Sequence, residues 1–127
     1  MSSIDIQKLR KVFQDDEGEI VAVDDLDLTV ADSDFLVLVG PSGCGKSTTL
    51  RIIAGLEEPT DGRILFNGED VTDKTSQNRK ISMVFQDYAL YPHMTAKENM
   101  SFGLQYGSDQ SDEEIQQRVN DTVQMLG

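Results

Sequence analysis

The chain has 127 residues and a formal net charge of −12, from 23 acidic and 11 basic side chains. This length suits one domain, and with 38% hydrophobic residues and no Trp its core must be modest. The charge disfavours a nucleic-acid partner held by a basic patch, and a lone cysteine, Cys44, excludes an intrachain disulfide. Residues 4–13 alternate weakly (Ile4, Ile6, Leu9) and predict an edge strand; "QDDEGE" (14–19) predicts a turn. Residues 18–30 alternate more clearly at Leu26, Leu28 and Val30, as a half-exposed antiparallel strand does. Nine acids (Asp15, Asp16, Glu17, Glu19, Asp24, Asp25, Asp27, Asp32 and Asp34) crowd a stretch without Lys or Arg, which predicts a solvated acidic surface of the salt-adapted kind.

"DFLVLVG" (34–40) is continuously apolar, the pattern of a parallel strand buried on both faces. A helix is predicted from Lys46, with Leu50, Ile53 and Ala54 on one face and a stop at Gly55. A turn "EEPTDG", a short strand "RILFNG" and a second buried strand "KISMVFQ" (80–86) follow. Thr95 to Glu98 and Ser111 to Glu114 both fit the capping box. The second opens a helix with Ile115, Val119, Val123 and Leu126 on one stripe, a packing surface. The N-terminus carries no apolar signal region. No apolar run approaches the ~18 residues of a membrane span, so any membrane role is expected to be peripheral.

The chemistry concentrates in Gly40-Pro41-Ser42-Gly43-Cys44-Gly45-Lys46-Ser47, which matches G-x-x-x-x-G-K-[ST]. Glycines let the backbone curl so that successive N–H groups point at anionic oxygens. The following helix adds its positive N-terminal end. Lys46 is expected to meet the β- and γ-phosphates, Ser47 to ligate Mg²⁺, and Thr48 to reach the α-phosphate. Cys44 is expected to be a small side chain facing away from them. His93, with no carboxylate partner in sequence, makes neither a triad nor a metal site.

With the loop placed, "PSGCGKSTTLRIIAGLEEPTDGRILFNGEDV" and "MVFQDYALYPHMTAKENMSFGL" resemble the nucleotide-binding subunits of ABC transporters, in particular those of carbohydrate importers of the maltose, multiple-sugar and glycerol-phosphate type. The resemblance runs along nearly the whole chain. It implies an α/β fold: a P-loop NTPase core with an N-terminal antiparallel β subdomain and the start of a helical subdomain, truncated. The implied division is 1–34 for the β region, 35–86 for the core and 87–127 for the helical part. It further implies that Phe13 stacks on adenine and that Gln86 is the Q-loop glutamine, reaching Mg²⁺ or water. Tyr88 to Met94 is then the surface that receives the permease subunits, and a second nucleotide-binding subunit completes a dimer. The implied cofactors are ATP and Mg²⁺, and the implied location is cytoplasmic, on the inner face of the cell membrane.

The sequence departs from the family in the longer "QDDEGE" turn and in Ser33-Asp34, where Gly-Glu is common. Residues 1–127 also hold no signature sequence, Walker B strand or switch His; "VAVDD" has the local form of a Walker B strand but falls in the edge sheet. The expectation is an ATP-binding portion of an import ATPase that is inactive by itself and marginally stable. The alternative is a non-catalytic fragment that docks on a transporter.

Overall fold

The structure, a computed structural model, describes residues 3–87, 89–107 and 109–127. It divides into two units, Met1–Met83 and Val84–Gly127.

The first unit is built on a hairpin of β1 (Ile4–Asp15) and β2 (Gly18–Val30). The predicted six-residue turn tightens to two residues, Asp16 and Glu17, with Asp15 opposite Gly18. The Asp15 carboxylate accepts the Glu17 N–H at 2.9 Å, the side-chain turn that Asp favours. All nine acids of residues 15–34 are exposed, as their spacing without counter-charges predicted.

Strand β3 (Asp61–Phe66) pairs with the other side of β1 and carries β4 (Glu69–Asp70), giving the antiparallel order β2-β1-β3-β4. The predicted edge strand is therefore an inner one. Its weak alternation has a physical cause: the register shifts between Ile6 and Leu9, where Lys8 has φ 48°. A bulge there lets residues three apart, Ile6 and Leu9, both face the core.

Helix α1 (Lys46–Ala54) lies in the same unit. Its Ile52 is buried in one cluster with Ile6, Leu9, Val23, Ile64 and Val71, and Leu9, Ile52 and Ile64 have 0% exposure. Of the face expected from Leu50, Ile53 and Ala54, Ala54 is buried and Ile53 packs against the core, but Leu50 is exposed; Thr49 and Ile52 complete the buried face.

The two segments predicted as buried parallel strands differ most from expectation. Residues 35–39 and 81–85 join no described strand ladder, and Phe35 and Val39 are 93% and 84% exposed. A parallel strand depends on neighbours at both edges and helices on both faces, and the described sheet supplies neither to these segments.

The second unit contains α2 (Ala96–Gly107) and α3 (Asp112–Leu126), packed on one another. Both capping residues act as predicted. The Thr95 N–H donates to the Glu98 carboxylate at 2.6 Å, while the Glu98 N–H donates to Thr95 Oγ1 at 3.2 Å. The Ser111 hydroxyl accepts from the Glu114 N–H at 3.3 Å. On α3, Ile115 and Val119 are buried, but Leu126 at the end of the predicted stripe is exposed.

Candidate functional site

The glycine loop begins where residues 35–39 end and closes on α1. Gly45, the N-cap of α1, has φ 95°, a conformation costly to any residue with a Cβ. A Cβ there would also overlap the carbonyl oxygen of Ala22 and lie 3.6 Å from Val23 Cγ2. Strand β2 thus braces the loop from behind, and the contact requires glycine independently of the dihedral.

The Cys44 N–H donates to the Pro41 carbonyl at 3.3 Å and rounds the loop, with the Cys44 thiol exposed. The Lys46 ammonium folds back across the loop, donating to the Gly40 carbonyl and, at 2.9 Å, to that of Pro41. Within α1, the Gly45 carbonyl accepts both the Thr49 N–H at 2.9 Å and the Thr49 hydroxyl at 2.8 Å. The N–H groups of Lys46, Ser47 and Thr48 precede that bond and have no carbonyl one turn back in the helix. No side chain caps them, and the first turn holds no acid. Ser47 is exposed and Thr48 partly so. Free N–H groups, the helix's positive end and the Lys46 ammonium together form an anion-binding donor set.

The opposite end of α1 is closed firmly. Gly55, at φ 80°, forms the left-handed cap; its N–H reaches the Ile52 carbonyl, and the Leu56 N–H reaches that of Arg51. The Arg79 guanidinium donates to the carbonyls of Ile52 (2.6 Å), Ile53 (3.1 Å), Thr72 (2.9 Å) and Lys74 (3.0 Å). Arg79 is only 5% exposed, and burial lowers its pKa from the ordinary guanidinium value. It stands in "SQNRK" without periodicity or motif, so sequence reasoning had no signal for it.

Phe13 lies on β1 opposite Ile20, on the same hairpin that meets the loop through Ala22. Phe13 is 38% exposed, and the Lys11 ammonium lies 5.0 Å from its ring centroid. Gln86 belongs to the second unit, where it is exposed in a turn. Tyr88 lies outside the described residues. The rest of its predicted surface, Ala89 to Met94, is held against α2 by Asn99. The Asn99 Oδ1 accepts the Tyr91 N–H at 2.8 Å, and its Nδ2 donates to the Thr95 carbonyl at 2.9 Å. Tyr91, Phe102 and Tyr106 follow in a row at ring separations of 4.9 Å. Leu90, Tyr91, Pro92, Met94, Ala96 and Met100 line a groove of about 620 Å³. Among the described residues, no helix is long and apolar enough to cross a membrane.

Comparison with known proteins finds relatives along the whole chain. A chain bound to ADP and Pi, the dimeric post-hydrolysis ATP-binding cassette MJ0796, aligns with a TM-score of 0.86 and 31% identity over 96% of this chain and 56% of its own. The xylose/arabinose import ATP-binding protein XacJ of Haloferax volcanii is 52% identical over all of this chain and 32% of its own length. The sn-glycerol-3-phosphate import ATP-binding protein UgpC of Bartonella quintana is 48% identical over 99% of this chain and 35% of its own. The chain therefore spans about a third of the length of these curated relatives. The family described as ABC transporter matches residues 23–127, from β2 through the glycine loop to the end of α3, and to that family this chain belongs.

Proposed function

We propose that this chain is the ATP-binding portion of an ABC-type importer ATPase, coupling ATP binding and hydrolysis to carbohydrate uptake within a complete subunit. The observation that carries the reading is the start of α1, with its uncapped N–H groups, braced glycine loop and Lys46 ammonium. In this reading Gly40 to Gly45 wrap the phosphates and Lys46 exchanges its carbonyl partners for the β- and γ-phosphate oxygens. Thr48 donates to the α-phosphate, and Phe13 offers its exposed ring to adenine. The Ser47 hydroxyl is the donor proposed for Mg²⁺ in the first unit, and the Gln86 amide oxygen is proposed as a metal donor from the family resemblance alone; among the described residues no three His, Cys, Asp or Glu side chains converge on a metal-sized site. A hard cation held by few protein oxygens suits Mg²⁺, which keeps waters and phosphates as its other ligands. When bound, Mg²⁺ would supply positive charge that offsets the charge of the phosphates.

Phosphoryl transfer relies on positioning and charge stabilisation. Lys46 and Mg²⁺ supply part of that, so residues 1–127 alone are proposed to bind ATP without appreciable turnover. The groove between Ala89 and Met100 is the proposed seat for a permease segment, and pairing with a second nucleotide-binding subunit is proposed for the complete protein. The cytoplasmic face of the membrane is the location this arrangement requires.

Titration with Mg·ATP tests the proposal. Lys46→Ala should weaken binding by at least about tenfold, the size of one charge-assisted phosphate contact, with the circular dichroism spectrum retained. Equal affinity in both proteins overturns the nucleotide reading. Turnover by the 127 residues that Lys46→Ala abolishes overturns the non-hydrolytic part.

The Tyr91 groove favours a second reading, a fragment that docks on a transporter without nucleotide chemistry. Capture of permease subunits that is indifferent to both Mg·ATP and Lys46→Ala would establish it.

A further inference from the structure

We infer that Lys11 is a positioning residue for the purine base: it fixes the Phe13 ring and tethers that ring to the segment leaving α1. The inference rests on the nucleotide reading above and concerns a side chain to which that reading gives no role. Lys11 and Phe13 stand two apart on β1, and although the pairing with β2 shifts register between Lys11 and Val12, the ammonium lies over the Phe13 ring. Three acceptors surround the Lys11 ammonium: the Glu57 carboxylate at 3.0 Å, the Glu58 carbonyl at 2.6 Å and the Phe13 ring at 5.0 Å to its centroid. An ammonium has three N–H donors, so these partners account for its full capacity. The side chain is only 13% exposed and that of Glu57 28%, so water screens the pair weakly.

The same junction is laced by backbone. The Val12 N–H donates to Thr60 Oγ1 at 2.9 Å, and the Thr60 N–H donates to the Arg10 carbonyl at 2.8 Å. Residues 10–13 of β1 are thereby joined to residues 57–60, which leave the helix that the phosphate loop begins. A cation near one face of the ring draws π density toward itself. The exposed part of the ring is then held in place and polarised to stack against an electron-rich purine.

The test compares Mg·ATP with inorganic tripolyphosphate, which engages the phosphate loop and has no base. Lys11→Met should weaken Mg·ATP binding roughly fivefold, as loss of a partly desolvated cation–π contact implies, and change tripolyphosphate binding less than about twofold. Lys11→Arg, which keeps the charge near the ring, should restore most of the ATP affinity. An equal loss for both ligands assigns Lys11 a purely structural role and overturns the inference. An unchanged ATP affinity overturns it too, as does an increase, which would mean the ammonium occupies the base's own place. If binding of both ligands by the unaltered chain is indifferent to Lys46→Ala, the nucleotide reading itself falls, and this inference with it.

Discussion

Among the described residues, three α-helices begin in opposite ways. Helix α2 starts on the reciprocal Thr95–Glu98 pair, and α3 starts on Ser111 with Asp112, Glu113 and Glu114 in its first turn. Each has side-chain oxygens on its first N–H groups and negative charge at its positive end, the arrangement that stabilises a helix. Helix α1 has neither: a glycine in the left-handed conformation, no side-chain cap and no acid in the first turn. It compensates at its other end, where Gly55 and the four carbonyls gathered by Arg79 hold it. A helix left uncapped at its start and fastened at its finish keeps its first N–H groups open, as the proposed phosphate site requires. Helices capped at the start serve packing.

The comparison can be broken at its strongest point. Arg79→Met removes donors from four carbonyls, two of them at the end of α1, and is expected to destabilise the first unit by about 3 kcal/mol. A fall in the urea midpoint measures it, and a change under 1 kcal/mol would show that α1 does not depend on this end.

Thr48→Glu would give α1 the first-turn acid that α2 has in Glu98. The helix should gain some 0.3–1 kcal/mol, while Mg·ATP binding should weaken about tenfold because the new carboxylate competes with phosphate. Thermal melts and titration of one protein read both. A gain in stability without loss of binding would sever the link between an open helix start and the ligand.

The smallest effect is expected at α2. Hydrogen bonds from the Thr95 N–H, and then those with its hydroxyl, hold the Glu98 carboxyl below its ordinary pKa of 4.5. A group depressed in the folded state contributes stability that is full above its unfolded pKa and is lost as pH falls through the folded one. The second unit should therefore weaken as pH drops below about 4.5. Glu98→Gln, which keeps the acceptor without the charge, should remove that dependence. An identical acid slope in both proteins would show that other carboxylates cause it.

The loop, the caps and the acidic hairpin were legible because each is local. Eight consecutive residues build the glycine loop and the start of α1, Thr95 and Ser111 act within three residues of themselves, and the nine acids of residues 15–34 are exposed. Long-range contacts escaped. Arg79 acts across 27 residues to reach Ile52, and nothing near it in the chain marks it as buried. Lys11 reads as one more surface lysine until residues 57–60 fold against β1. Residues 35–39 and 81–85 show the opposite error: apolar runs announce a strand, but strandedness is a property of the neighbour that supplies the other half of each hydrogen bond.

By itself, then, the sequence determined where the glycine loop from Gly40 to Gly45 ends and α1 begins, since glycine placement and a helix start are fixed by spacing along the backbone. Only the tertiary structure decided that β1 is an inner strand, that Ile52 rather than Leu50 is buried, and that Ala22 makes Gly45 irreplaceable. Those outcomes depend on which distant segment comes to lie within a few ångströms, and pairing and close packing settle that together across the fold.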